Sequence, residues 1–560
     1  DLNPDLKIAL RTGDTSQKER GNQKRKPSFG LVTTPESLHL LLSTKDHQKT
    51  LKSLKIIVID EWHELLGTKR GVQIELAIAY LNYFLPNLKV WGISATIGNK
   101  DLASKILLGS SKSFVTVNAE IQKKIEVESI LPKNMERFPW RGHLGIHLLS
   151  RVLEIVKKNK TTLIFTNTRA QCEIWYHHLL DRNPELAGDI AMHHGSIDKK
   201  IRLWVEDALR KENLKVVVCT SSLDLGVDFS PVENCIQIGS PKGVGRFIQR
   251  AGRSGHQPKA KSKIYFLPTH AMELIESLAL QKGIEKHKIE DRLPYLNSYD
   301  VLFQFLMTLA VGSGFDQKDL FPVIQKTFCF QTIKKEQWRW ILNFLVKGSQ
   351  TLEHYDEYKK VTILENGIYK VINKGIIMRH RLSIGTIVGD ATLKVRYQKG
   401  GYLGSVEEWF ISKLIPGDIF TFSGRNLELI RIRNMEVIVR KSKSKKTRIP
   451  SWMGGRMSFS SHLSDLLKNA LYEETNKNSP ELRALIPIFD EQKKESIIPK
   501  PDEFLIERFK TREGFHTIFY PFEGYAIHEV MASLLAYRIS LLKPINLAFN
   551  SASFLASFID

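Results

Sequence analysis

The stretch Lys55-Ile-Ile-Val-Ile-Asp-Glu-Trp-His63 constrains this chain more than any other. Ile56 to Ile59 form a continuous apolar run, which reads as a strand buried on both faces, as in a parallel sheet. The run stops at two adjacent carboxylates, Asp60 and Glu61. Acids at the carboxyl end of such a strand lie where open α/β sheets bind their ligands. Two of them suit a Mg²⁺-nucleotide: one holds the ion, usually through water, and the other orients or deprotonates an attacking water. An ordinary strand end with two solvated acids fits these residues equally well, so the rest of the chain must decide.

The bulk numbers narrow the class. A chain of 560 residues has room for about three to five domains. With 42% hydrophobic and 25% charged residues it reads as a folded protein, and its net charge of +22 favours a polyanion, most simply nucleic acid, with an acidic membrane surface as the other reading. No apolar run approaches the ~20 residues that span a bilayer, and the opening Asp1-Leu-Asn-Pro4 has no signal-peptide pattern. Cys172, Cys219, Cys235 and Cys329 are too few and too scattered for a disulfide framework or a Cys₄ zinc site. A cytoplasmic, reducing location is expected.

Strand and helix signals alternate from the start. Phe29 to Thr33 runs into Thr34-Pro35-Glu36-Ser37, where Thr34 caps a helix and proline fits its first turn. Such a start can hold a phosphate, although a plain capped helix explains the same residues. Lys18 to Lys26 reads as a basic loop and Val72 to Leu85 as an amphipathic helix. Val90 to Thr96 is a strand ending in Ser94 and Thr96, hydroxyls able to report on the Asp60 site; a simple strand-to-turn transition is the other reading. Residues 120–140 look like a linker. Four further strands then end in polar residues: Thr162 to Thr166 before Asn167-Thr168-Arg169, the strand ending at His193-His194-Gly195, Lys215 to Thr220 before Ser221 to Asp228, and Ile236 to Ser240. Several polar strand ends on one sheet edge make a binding surface. Arg250 and Arg253 are three apart, a spacing that puts both guanidiniums on one helix face toward one anion, and an arginine finger contributes on the order of 10³-fold or more in phosphoryl transfer. An exposed basic turn is the alternative.

In order along the chain, these stretches resemble the motif series of superfamily 2 helicases. They are Thr34-Pro-Glu-Ser37, Asp60-Glu-Trp-His63, Ser94-Ala-Thr96, Phe165-Thr-Asn-Thr-Arg169, Thr220 to Asp228, and Gln249-Arg-Ala-Gly-Arg253. The Asp-Glu-Trp-His variant, with Arg11-Thr-Gly-Asp-Thr15 before it and His256 closing the last motif, looks most like the Lhr (large helicase-related) family, and within it the ligase-associated DEXH-box helicases of bacteria. Ile384-Gly-Thr-Ile387, Gly417-Asp-Ile-Phe420 and Pro450 to Arg456 look like that family's C-terminal region.

The resemblance implies ATP and Mg²⁺ as cofactors, with Asp60 on the metal and Glu61 on the hydrolytic water. It implies Gly226, Asp228, Arg250 and Arg253 on the nucleotide, and Ser94 and Thr96 coupling hydrolysis to movement. It puts Thr34, Arg169, His194 and Thr220 on the nucleic-acid backbone. Many relatives outside Lhr carry a third arginine where this chain has His256, so His256 is not assigned as a finger. A ligase and an exonuclease of a repair cluster are partners by resemblance alone. The expected activity is that of an ATP-dependent, 3′-5′ type DNA helicase moving on single strands. Alternatives are an ATPase-deficient binding or annealing protein, or a helicase of RNA or RNA:DNA hybrids. The loop Gly-x-x-x-x-Gly-Lys-Ser/Thr occurs nowhere in the sequence. The reading is therefore a fragment without the N-terminal P-loop segment; a polypeptide truly starting at Asp1 is expected not to hydrolyse ATP usefully.

The expected fold is α/β. A partial first RecA-like lobe (1–135) is followed by a second (136–290), a winged helix (291–380), a β-barrel-like module (381–456) and a helical or mixed tail (457–560). The winged helix rests on three helical stretches after Tyr299 and a hairpin around Asn366-Gly367 as a two-residue turn. Of Trp338 and Trp340, two apart, one belongs to the core. Trp452, beside a run of six cations from Arg440 to Arg448, is a single-strand contact candidate, with a solvated loop as the plainer reading of the cations.

Overall fold

The computed structural model describes residues 6–13, 15–95, 97–109, 113–118, 124–131, 145–224, 232–255, 261–348, 360–384, 392–398, 400–433, 436–444, 459–472, 479–512, 514–542, 548–551 and 556–559. The chain divides into two compact units, one formed by 1–119 with 291–388 and the other by 120–290 with 389–560. Segments far apart in sequence thus build each unit.

The first unit holds two parallel strand pairs, β1 (Ile8–Arg11) with β2 (Gly30–Thr33) and β3 (Ile56–Ile59) with β4 (Lys89–Gly92). The parallel pairing is as read from the apolar run, but burial on both faces is not. Ile56 and Val58 are 44% and 47% exposed; among the described residues β3 pairs with β4 alone and one of its faces is left uncovered. Lys18 to Lys26 is not a loop. Gln17–Arg25 is helical, capped by the Ser16 hydroxyl on the Glu19 amide, a start signal that the dense charge obscured. The helix Lys69–Phe84 is buried on nearly every face rather than amphipathic, since the helices Pro35–Leu42, Tyr299–Val311 and Gln317–Gln325 all pack on it. Those last two helices and Lys335–Lys347 are the helices of the winged helix, and Leu76, Leu81, Phe305, Ile324 and Trp338 all belong to one core.

The wing is the hairpin Thr362–Ile363 and Tyr369–Lys370. Its loop is longer than the two residues expected. Leu364 and Ile368 still pair, and Gly367 at φ +80° donates to the Leu364 carbonyl. Glu365-Asn366-Gly367 is therefore a three-residue loop with glycine in the left-handed position. Trp338 is the core tryptophan; Trp340 is 60% exposed.

The second unit is organised on a six-stranded, all-parallel sheet. Its strands are β5 (Ile125–Ser129), β6 (Thr162–Phe165), β7 (Ile190–His193), β8 (Val216–Cys219), β9 (Asn234–Ile238) and β10 (Ser262–Leu267), in the order β5-β10-β9-β6-β8-β7. Every residue of β6, β7, β8 and β9 is buried, as expected where helices cover both faces. The supposed linker at 120–140 contains β5, an edge strand in register with β10 from Ile125↔Ser262 to Ser129↔Phe266. Its alternation of Ile, Glu, Val and Glu suits an edge and hid it from a search for apolar runs.

Where a β-barrel-like module was expected, Thr392–Tyr397, Tyr402–Glu407, Ile419–Phe422, Arg425–Arg433 and Glu436–Lys441 form a five-stranded sheet on its own core, including Val395, Phe420 and Val439, with Tyr402–Glu407 and Ile419–Phe422 as its outer strands. Gly404 lies so close to the Ser196 carbonyl that no Cβ fits, and Ser405 donates to that carbonyl at 3.0 Å. Helices Ser461–Tyr472 and Pro480–Glu495 pack on the helix Met272–Glu285. The hairpin Leu505–Thr511 and Gly514–Tyr520 follows, then the helix Tyr525–Leu542. No helix among the described residues is long and apolar enough to cross a membrane.

Candidate nucleotide and nucleic-acid sites

At the end of β3 the backbone turns at Glu61, which adopts φ 49°, ψ 44°. That conformation is costly for a residue with a Cβ and tends to persist where function requires it. The Asp60 carboxylate accepts the Glu61 amide at 2.9 Å, tying the two acids into one turn. Behind the turn the two strand ends are zipped: Ile93 donates to the Ile59 carbonyl at 2.8 Å, and Trp62 to the Ile93 carbonyl at 2.9 Å. The Trp62 indole, buried, donates to the Ala103 carbonyl.

His63 closes the constellation. Its side chain is buried, with Nδ1 accepting the Ala95 amide at 3.3 Å and lying 3.5 Å from a Glu61 carboxylate oxygen. Nε2 is 3.7 Å from Glu64, which is 3.5 Å from Arg292. Burial depresses the His63 pKa foremost; Glu64 opposes this, Arg292 adds to it, and Asp60 opposes it. A neutral imidazole accepting through Nδ1 thus links the acid turn to the Ser94-Ala95 strand end. The sequence pointed to Ser94 and Thr96 for that link. Ser94 is exposed, Thr96 lies outside the described residues, and the contact is made by the backbone between them.

Asp60 is exposed at the turn, and a lone carboxylate beside a second one is the donor set Mg²⁺ uses when phosphates and waters complete its shell. The residues therefore fit the ion: Asp60 would hold it, and it would supply charge neutralisation at a phosphate. Thr34 caps its helix as read, its hydroxyl accepting the Ser37 amide at 3.3 Å with Pro35 in the first turn. Glu36 in that turn is held by Arg70 at 2.7 Å.

In the second unit, β6, β7, β8 and β9 do bring their polar ends to one sheet edge. Asn167 donates to the Ser240 carbonyl at 2.7 Å, and Thr220 to the His193 carbonyl at 3.2 Å. Arg169 begins the helix Arg169–Arg182, its guanidinium beside Gly195. Two residues read as ligand contacts face inward instead. Arg250 is 1% exposed, paired in a fork with Asp224 at 2.9 and 3.0 Å, bonded to Gln237 and lying over the Phe165 ring at 5.0 Å. It holds the lobe together and does not offer its charge to an anion. The helix ends at Ala251, so Arg253 leaves the shared face assumed from the spacing; its Nε donates to the Asp224 carbonyl at 3.1 Å.

His194 is likewise no backbone contact. It is fully buried, 3.3 Å from Glu173, whose two carboxylate oxygens accept the Ser423 and Gly424 amides at 2.7 and 3.0 Å. The pair anchors the five-stranded sheet to the lobe. Asp224, Gln237 and Glu173 were missed as organising residues. An acid between Cys172 and Trp175, at a core position of its helix, was the available signal for Glu173. Gly226, Asp228, His256 and Trp452 lie outside the described residues, as do 385–387 and 450–456. Among the described residues no cluster of three or more His, Cys, Asp or Glu is placed to hold a metal.

The family described as Large helicase-related protein, winged helix domain, matches residues 282–449. DEAD/DEAH box helicase matches 2–104, Helicase conserved C-terminal domain 146–257, and DEAD/H associated 498–553. The ATP-dependent helicase Lhr-Core of Methanocaldococcus jannaschii is 30% identical over 557 residues, 98% of this chain. The chain belongs to the Lhr family. It spans 65% of the length of that relative, and 39% of the Lhr helicase/uracil glycosylase of Escherichia coli, with 26% identity over 96% of this chain. Among solved structures the fold is similar to that of Mycobacterium smegmatis helicase Lhr, with a TM-score of 0.78, 22% identity, and 99% of this chain and 70% of that one covered. Its Lhr-Core relatives are named as ATP-dependent helicases, and the α/β architecture with RecA-like domains and a winged helix is shared.

Proposed function

We propose that this chain is the motor part of an ATP-driven helicase that translocates on single-stranded DNA, 3′-5′ in direction, and separates duplexes during DNA repair. The observation carrying the reading is the acid turn at β3: Asp60 and a strained Glu61, with buried His63 bonded to the Ala95 amide. Asp60 binds Mg²⁺, Glu61 orients the attacking water, and His63 passes the state of that turn to the next strand end. Arg253 is the guanidinium assigned to the nucleotide, with Gly226 and Asp228. Thr34, Arg169 and Thr220 are assigned to the strand backbone, with Trp452 as a base contact. Support for the substrate comes from the net charge of +22 and from the Mycobacterium smegmatis helicase Lhr, solved bound to ssDNA and AMP-PNP. A ligase and an exonuclease are the proposed partners in repair, to be sought by co-purification.

DNA-stimulated ATP hydrolysis is the test, run on these 560 residues and on a polypeptide carrying a Walker-type loop ahead of Asp1. Turnover is expected in the second. Glu61→Gln in it is expected to lower turnover by roughly 10²-fold or more while leaving DNA affinity within about twofold. Turnover in neither polypeptide rejects the motor reading, and unchanged turnover in Glu61→Gln removes that residue from its role.

A further inference from the structure

The hairpin Leu505–Thr511/Gly514–Tyr520 is half of a four-stranded antiparallel sheet: Ala556–Ile559 pairs along its second strand from His516 to Phe519, Ala548–Ser551 lies beyond, and among the described residues its first strand is an edge. At its base Glu507 accepts the Tyr520 hydroxyl at 2.7 Å and the Gln492 amide at 3.0 Å, and Phe519 packs on Ala532 of the last helix. On that edge strand burial alternates near the base, where Ile506 is exposed, and it stops toward the turn. Arg508, Phe509, Lys510, Thr511 and Phe515 are all exposed, the two phenylalanines by 45% and 42%.

What is displayed there is ordered. On one face Lys510 lies opposite Phe515 and Arg508 diagonally from it, their cationic groups 5.2 and 5.0 Å from the ring centre. On the other face Phe509 and His516 are direct cross-strand partners, their rings stacked at 5.2 Å and 5° from parallel. The Thr511 hydroxyl, 2.6 Å from His516 Nε2, fixes the imidazole plane. Arg512 adds a further cation at the turn.

Solubility alone does not call for two exposed phenyl rings among three cations. A flat ring in water gains from stacking on another flat ring, and neighbouring cations select an anionic one. Unpaired nucleotides have both properties, whereas in a duplex the base faces are already stacked. We infer that the tip of this hairpin is a nucleotide-independent binding site for single-stranded nucleic acid, with bases stacked on Phe515 and on the Phe509–His516 pair and phosphates held by Arg508 and Lys510. This inference rests on the nucleic-acid reading above and adds a site to it.

The test is equilibrium binding of fluorescent oligo(dT) to the full chain without ATP, at several salt concentrations. Phe509→Leu/Phe515→Leu is expected to weaken binding by roughly 5- to 100-fold, and Phe515→Tyr to retain it. Arg508→Gln/Lys510→Gln is expected to make the log–log salt slope shallower by about 1.4, and the charge-matched control Lys157→Gln/Lys158→Gln to leave it less changed. Phe515→Trp supplies a direct readout, quenched by oligo(dT) and far less by a blunt duplex. Circular dichroism matching the parent shows that each variant folds. Parental affinity in the leucine variant, with strong binding by the parent, overturns the hairpin site and leaves the motor reading standing. No binding by the parent overturns both. Equal quenching by polyglutamate assigns the tip to an acidic protein segment and overturns the inference.

Discussion

Arg250 shows how little a residue's type says about its task until its partners are known. Two arginines three apart at a motif-like position suggested a pair aimed at phosphate, yet one guanidinium is folded into a fork with Asp224, against Gln237 and Phe165. Removing it leaves an uncompensated buried carboxylate. Arg250→Ala is accordingly expected to cost about 3–5 kcal/mol of stability, read from urea unfolding of the full chain. A surface arginine would cost under about 1 kcal/mol. Glu75 allows a second prediction at this scale. Its carboxyl is buried in the first unit, where it accepts the Cys329 amide at 3.0 Å, and burial raises its pKa to about 8. The folded state then holds a proton that the unfolded state releases near its ordinary value, so Glu75's contribution is complete at low pH and is lost as pH rises toward and through 8. His380, depressed to about 4 mainly by burial, has the opposite slope, confined below about pH 6.5. Unfolding measured from pH 6.5 to 8 lies above the His380 range; buried Glu276, raised to about 7, adds a slope of the same sign at its lower end, so the difference between parent and variant reports Glu75. The parent is expected to lose stability across that window, and Glu75→Gln to show a flatter profile.

At the scale of elements, legibility followed burial. The strands β6 and β8 are almost wholly apolar because both their faces are covered, and they were readable from composition alone; β9, which buries Asn234 and Gln237 as well, was readable from Ile236 on. The Thr34 cap was readable because proline and a hydroxyl at a helix start leave few alternatives. β5 was not, because an edge strand alternates like a polar linker. The Gln17–Arg25 helix was not either, because its signal is one serine before a run of charge. For the candidate site, the acids of the β3 turn were legible as chemistry, and the turn's geometry was not: nothing in the letters Asp-Glu-Trp-His fixes Glu61 in the left-handed region or aims His63 at the Ala95 amide. His194 and Arg250 misled for a shared reason. Each sits at a polar strand end or helix end, where an inward partner (Glu173, Asp224) is invisible until the chain is folded.

At the scale of the molecule, the winged helix has no core of its own to rely on. Phe305, Leu320 and Trp338 share one apolar interior with Leu76, Tyr80 and Leu81 from the helix Lys69–Phe84. Residues 291–388 expressed alone are expected to lack a cooperative thermal transition by circular dichroism, and to gain one when mixed with 1–119; a sharp transition in the isolated piece would show that the shared interior is dispensable.

The division into units carries a further consequence, for synthesis. Residues 1–119 of the first unit are joined only later by 291–388, so residues 120–290 must leave the ribosome in between. At ordinary elongation rates that interval lasts roughly 10–30 s. Throughout it, Leu76, Tyr80 and Leu81 await their partners while the second unit's parallel sheet is already emerging. A nascent chain that must keep half a core open for that long is a natural client for chaperones, and slower translation through 120–290 would lengthen its exposure.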